Sequence, residues 1–262
     1  MCLILFSFDA RRGFPLMVAA NRDEHHARAA AAAAFWPDHP QVYAGRDLEK
    51  GGTWMGITTS GRFAAITNYR EGQAGPAAPR SRGAIVSDFL TGDGHAGDYL
   101  GTVASDAADY NPFSVIAGDL RGLYVYSNRG SAGAQAIAPG LHGLSNHLLD
   151  TPWPKVSAGM AALAGSVDDD DPDRIAAAMF AFLGGRDAAH DTLLPDTGIS
   201  RQRERELSPP FITGERYGTR TSTVLLVSRS GDVIYHEKRF AAGGIAAGED
   251  LRMFRLESAV TA

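Results

Sequence analysis

The chain has 262 residues (27.8 kDa), is 44% hydrophobic and 21% charged, and carries a net charge of −5 with a pI near 5.9. That balance describes a globular protein with one large core or two small ones, and its mild acidity excludes a nucleic-acid surface, which would show clustered Lys and Arg. A single cysteine excludes an internal disulfide framework, and no run approaches the ~18–20 uncharged apolar residues that span a bilayer, so the default is a soluble cytoplasmic protein.

Two apolar runs, 2–8 and 14–20, flank the polar turn Asp9-Ala10-Arg11-Arg12-Gly13. They read as an antiparallel hairpin centred near Arg11 and Arg12. Its register sets Cys2 opposite position 21 or 22, with Cα atoms roughly 5 Å apart. The first run does not read as a signal peptide, because no basic region leads it and Asp9 and two arginines follow it closely. Next comes the alanine run Ala29–Ala34, which predicts a short helix or loop. Residues 40–52 read as an irregular connection. Segments 53–58 and 62–68 form a second hairpin around Ser60-Gly61.

The Gly, Pro and Ala of 72–79 predict a loop, and Ser81 is positioned to cap a helix over 83–90, with another over 96–108. Strands are expected at 113–118, 123–126, 135–138 and 141–146. Beyond Trp153 the period becomes helical, in Val156, Met160 and Leu163 and again in Ile175, Met179, Phe182 and Leu183. The acid run 168–173 precedes the second of these and suits a helix N-terminus. Arg201 to Glu206 alternates sign and reads as a solvated helical face or loop. The tail returns to strands at 221–227 and 233–240. Several strands are apolar without alternation, which implies burial on both faces. The expectation is one α+β domain over 1–262, a four-layer α/β/β/α sandwich of two antiparallel sheets.

Cysteine behind an initiator methionine has a chemical consequence. Removal of Met1 would leave an α-amine with an ordinary pKa of about 7.7–8.0 on the same residue as the thiol, where it serves as general base. Arg22 would raise the thiolate fraction and Asp23 orient the amine. An inert buried cysteine beside a solvated turn is the competing reading. Asn68 and Asn146 end predicted strands and are candidate oxyanion donors, although strand-end asparagines also form turns. The histidines do not fall into a zinc or haem-iron ligand pattern, and the Gly-Gly pairs lack the spacing of a phosphate or dinucleotide loop. No metal and no cofactor is expected.

Met1-Cys2, Asn21-Arg22-Asp23-Glu24, Gly52-Thr53-Trp54, Thr67-Asn68-Tyr69-Arg70, Gly143-Leu144-Ser145-Asn146, Leu194-Pro195-Asp196-Thr197-Gly198 and Tyr217 to Ser222 together resemble the NRDE family of transport-and-Golgi-organisation homologues. The resemblance covers nearly the whole chain and implies an N-terminal-nucleophile hydrolase fold. A looser similarity to cysteine-type acylases, such as penicillin V acylase and bile salt hydrolase, implies roles for Cys2 as nucleophile, Asn68 and Asn146 at the oxyanion, and Arg22 and Arg220 as site cations. The acylase aspartate lies three residues after the arginine, which leaves the acidic role between Asp23 and Glu24. The implied activity is hydrolysis of a non-peptide amide or thioester of a small or lipid-like substrate. The alternative is a non-catalytic carrier of haem or acyl-CoA, with Asn21, Glu24, Trp54, Tyr69 and Trp153 contributing to binding.

Overall fold

The computed structural model describes residues 2–10, 13–72, 78–130 and 133–257. Met1, the turn residues Arg11 and Arg12, and part of the expected 72–79 loop lie outside them. In chain order the strands are β1 (Cys2–Phe8), β2 (Leu16–His25), β3 (Ala30–Phe35), β4 (Val42–Asp47), β5 (Met55–Thr58) and β6 (Phe63–Asn68). Two helices follow, α1 (Arg82–Thr91) and α2 (Ala96–Ser105), then β7 (Phe113–Asp119), β8 (Gly122–Ser127), β9 (Gln135–Ala136) and β10 (Gly140–Leu144). After α3 (Pro154–Ala164), α4 (Pro172–Leu183) and the short α5 (Arg201–Glu206), the chain ends in β11 (Tyr217–Val227), β12 (Asp232–Phe240) and β13 (Ala246–Arg255).

Strand pairing gives a six-stranded sheet, β10-β1-β2-β11-β12-β13, and a seven-stranded sheet, β3-β4-β5-β6-β7-β8-β9. All named pairs are antiparallel. Each strand of β1 and β2 divides its side chains by period two. Ile4, Phe6 and Val18 pack between the sheets, against Met55, Ile57 and Phe63. Leu3, Leu5 and Ala19 meet α3 and α4 through Val156, Leu163 and Met179. On the far side, α1 and α2 cover the second sheet through Val86, Phe89 and Leu100. The result is the four-layer α/β/β/α sandwich, and double-sided coverage explains why β1 is buried along its whole length. Close approach of α3 to its sheet depends on small residues, because a Cβ at Gly159 would meet Leu5 at 2.4 Å.

Three expectations are corrected. The alanine run is strand β3, because tertiary pairing with β4 overrides alanine's local helix preference. The supposed irregular connection contains β4, whose Val42, Tyr43 and Ala44 are buried. A last strand, β13, was not expected at all; it is an almost wholly exposed edge strand with mixed charge. The short α5 is helical and exposed at five of its six residues, as its alternating charge predicts, with Glu204 alone buried. Asp171 caps α4, accepting from the backbone N–H groups of Asp173 and Arg174, whereas Ser81 occupies the N-cap position of α1 without a side-chain capping bond. Among the described residues no helix is long and apolar enough to cross a membrane.

Candidate functional site

Cys2 stands directly opposite Arg22 in the β1–β2 ladder. Facing residues of an antiparallel pair share a face, while neighbours along a strand take opposite faces. Cys2, Arg22 and Glu24 therefore lie on the side of Ile4 and Ala20, toward the second sheet. Asn21 and Asp23 lie on the side of Leu3 and Ala19, toward the helices. A cavity of about 340 Å³ opens on the sheet-facing side, and Cys2, Arg22, Glu24, Trp54 and Asn68 line it, with Asp23 also bordering it at the strand end.

Only 7% of Cys2 is exposed. Burial pushes its thiol pKa up and the Asp23 charge adds to this, while the Asp23 backbone N–H and the Arg22 guanidinium oppose it without cancelling it. Arg22 approaches Glu24 at 3.8 Å, a long ion pair. Glu24 also accepts from the His25 backbone N–H at 2.8 Å. Asn68 presents an amide with no hydrogen bond among the described residues, and its backbone carbonyl accepts from the Asn146 side chain at 3.0 Å.

Asn146 itself is fully buried. Its backbone carbonyl accepts from Arg70 N–H at 2.8 Å, and neighbouring Ser145 donates to the carbonyl of Cys2 at 3.1 Å. Thr67 closes the same bridge by donating to the Ser145 carbonyl at 2.5 Å. The segment after β10 thus ties the Cys2 end of one sheet to the Asn68 end of the other. Asn146 sits behind the cavity wall and is absent from its lining.

On the helix-facing side, Asp23 accepts from Thr219 Oγ1 at 2.7 Å, and Thr219 accepts in turn from the Ile212 N–H at 2.9 Å. Burial raises the Asp23 pKa, and the positive charge of Lys155 counters this. Lys155 is itself buried beneath the site and donates to the Leu207 carbonyl at 3.1 Å. Burial brings it down to about 8, with Asp23 acting to raise it. Asn21 is saturated: its amide donates to the carbonyls of Leu183 (2.9 Å) and Pro210 (2.8 Å) and accepts from Ser222 (2.6 Å). Nothing of that side chain remains for a ligand.

Arg220 is the extra residue of a β-bulge, since Thr219 pairs with Asp23 while Thr221 pairs with Arg22. The bulge puts Thr219 on the helix side and Thr221 on the cavity side. It also turns the Arg220 guanidinium onto the carbonyls of His25, His26 and Arg28 at 3.0 to 3.3 Å. Arg220 lines a second cavity, of about 300 Å³, that shares Arg22 with the first. Tyr69 and Trp153 are also away from the Cys2 cavity. Tyr69 bonds His147 at 2.6 Å, and Trp153 lies under the Arg70 guanidinium, 4.7 Å from ring centroid to Cζ. Of the three aromatic residues expected at the cleft, Trp54 alone lines it.

Lys155, Thr219 and Arg82 were not singled out from sequence. Lys155 did leave a signal, standing four residues before Gly159 and eight before Leu163 on the buried stripe of α3, where an unpaired lysine is out of place. Arg82 left none, because its nearness to Cys2 arises only when the two sheets stack.

The family described as Transport and Golgi organisation 2 matches residues 1–242. The Transport and Golgi organization protein 2 homologue of Bos taurus is 37% identical and aligns over 98% of this chain and 100% of its own length. The Homo sapiens homologue is 36% identical over 91% of this chain and 92% of its own. Among solved structures, a Caenorhabditis elegans N-acylethanolamine-hydrolyzing acid amidase orthologue aligns with a TM-score of 0.46 at 12% identity, covering 86% of this chain and 92% of that one. A variant of conjugated bile acid hydrolase from Clostridium perfringens aligns with a TM-score of 0.45 at 9% identity, covering 100% and 99%. With the motifs around Cys2, Arg22, Asn68 and Asn146 all falling inside the matched span, the chain belongs to the Transport and Golgi organisation 2 family.

Proposed function

We propose that the protein is a cysteine-dependent hydrolase of a non-peptide amide or thioester with a small or lipid-like acyl part. One observation supports this above the others: Cys2 and its ladder partner Arg22 line the cavity from one sheet, and the uncommitted amide of Asn68 lines it from the other. In this reading the acting form begins at Cys2, after loss of Met1. Its α-amine takes the thiol proton, a transfer made necessary by the burial that keeps the thiol neutral. The thiolate adds to the substrate carbonyl carbon, and the oxyanion receives the Asn68 N–H. Collapse breaks the bond to the leaving amine or thiol, which departs with the proton held by the α-amine. Water then attacks the acyl thioester, releases the carboxylic acid and restores thiol and amine. Asp23, on the helix side of the same strand end, holds the ammonium form by charge.

A second reading, a carrier of haem or an acyl-CoA-like ligand without turnover, draws on the raised thiol pKa, since a neutral buried thiol is a poor nucleophile. Intact mass spectrometry of protein purified from cells, before and after a panel of amide and thioester probes, separates the two. The hydrolase reading expects loss of Met1 and an acyl adduct on Cys2 that is absent in Cys2→Ala. Uniform retention of Met1 sinks it. Ligand binding and cellular function that survive Cys2→Ala select the carrier.

A further inference from the structure

The cavity that holds Cys2 is unevenly charged once its ion pairs are assigned. Arg28 is matched by Asp47 at 2.5 Å, Arg46 by Asp38 at 2.6 Å, and Arg80 by Asp106 at 2.8 Å. Arg22 has its long contact with Glu24. Arg82 differs. Its guanidinium donates to the Pro112 carbonyl at 2.9 Å, and among the described residues no carboxylate lies within ion-pair distance. A guanidinium carries five N–H donors, so most of its capacity is unspent. It lines the same cavity as Cys2 and Glu24, where its charge is felt by Glu24 and by Cys2 once that thiol ionises.

The fold gains little from a cation there. Arg82 opens α1, where the helix dipole disfavours positive charge, and the first turn contains no acidic residue to offset it. A partly buried guanidinium without a counter-ion is costly unless a partner arrives. Helix dipole, Arg82 and Arg22 all raise the potential in the space next to the sulfur. We infer that the ligand of this cavity carries a compact anionic group, a carboxylate or phosphate-type oxyanion, close to the atom that meets Cys2, and that Arg82 is the residue that reads it. This rests on the reading of the Cys2 cavity as the ligand site and narrows the substrate to an acyl compound whose leaving group or α-position is anionic.

A pair of small alkylating reagents tests this without any turnover. Iodoacetate and iodoacetamide both form an S–C bond at their CH2 carbon and break its bond to iodide, leaving a carboxymethyl or carbamoylmethyl thioether, but only iodoacetate is anionic. Cys2 is the one cysteine in the chain, so the adduct is unambiguous by mass. The expected result is an iodoacetate-to-iodoacetamide rate ratio about tenfold above that of N-acetylcysteine at low ionic strength, suppressed by salt. With each rate constant referred to the thiolate by its pH dependence, Arg82→Met should return the ratio to the free-cysteine value, while Arg82→Lys keeps most of it. A ratio equal to that of free cysteine, a ratio unchanged in Arg82→Met, an equal fall of both rates, or no reaction with either reagent overturns the inference. Anion-favoured alkylation without turnover of any amide or thioester would reject the hydrolase reading and leave the anion site standing.

Discussion

Arg22 and Asp23 are adjacent in sequence and live in different environments, and the contrast runs through the whole strand end. On the helix-facing side Asn21 is saturated, Asp23 is fixed by Thr219, and Lys155 lies buried against the Leu207 carbonyl. Farther along the same layer Arg70 and Glu204 form an ion pair at 2.5 Å, and Thr197 donates to Glu204 through both its N–H (3.1 Å) and its hydroxyl (2.5 Å). On the sheet-facing side Arg22 has a 3.8 Å ion pair, Asn68 an idle amide and Arg82 unspent donors. One strand thus carries a closed polar network on one face and open valences on the other. The closed face holds the geometry, and the open one is where a ligand can be met.

The largest expected effect comes from breaking the closed face. Arg70→Met leaves Glu204, 1% exposed, with no cation beside it, and removing one partner of a buried pair costs about 3–5 kcal/mol. Urea unfolding should show that loss, with Cys2 alkylation unchanged in the molecules that remain folded. A loss below about 1 kcal/mol would mean the network is not closed. Lys155 gives the next effect, and it depends on pH. Its folded pKa is about 8 against 10.5 ordinarily, so between those values the unfolded chain binds more protons and wild-type stability rises with pH. Relative to Lys155→Met, wild type should gain about 2 kcal/mol between pH 7 and pH 10. A flat difference would place the ammonium in water.

The part of this contrast that was legible in sequence is the part that depends on counting along strands. Cys2 opposite position 21 or 22 follows from a hairpin, with the ladder choosing Arg22, and the sandwich follows from strands apolar on both faces. The alanine run misled because alanine records no pairing partner, and β3 exists only through β4. Strand β13 escaped because an exposed, charged edge has no buried stripe to announce it. Arg220 was implied only by the similarity to cysteine-type acylases, and the bulge that redirects it is a feature of pairing with β2. Arg82 and Lys155 reach the site across layers, from α1 on one side and α3 on the other, and no local pattern encodes a meeting between layers.

The two strand-end asparagines offer the finest division between the faces, because sequence gave them the same role. Asn68 lines the cavity, and only its backbone is tied down, by the Asn146 side chain. An alanine there keeps that backbone acceptor and removes an amide with no partner, so Asn68→Ala should change stability by no more than about 0.5 kcal/mol. Acylation of Cys2 should nevertheless fall about 10²- to 10³-fold if that amide meets the oxyanion. Asn146 is fully buried, and its loss unties the Asn68 carbonyl from the segment that bridges the sheets. Asn146→Ala should therefore cost about 1–3 kcal/mol, the penalty for a buried group left unpaired. Paired urea titrations and single-turnover acylation measure both quantities. Equal destabilisation by the two variants would show that the open face is closed at Asn68 as well, and would transfer the oxyanion role away from it.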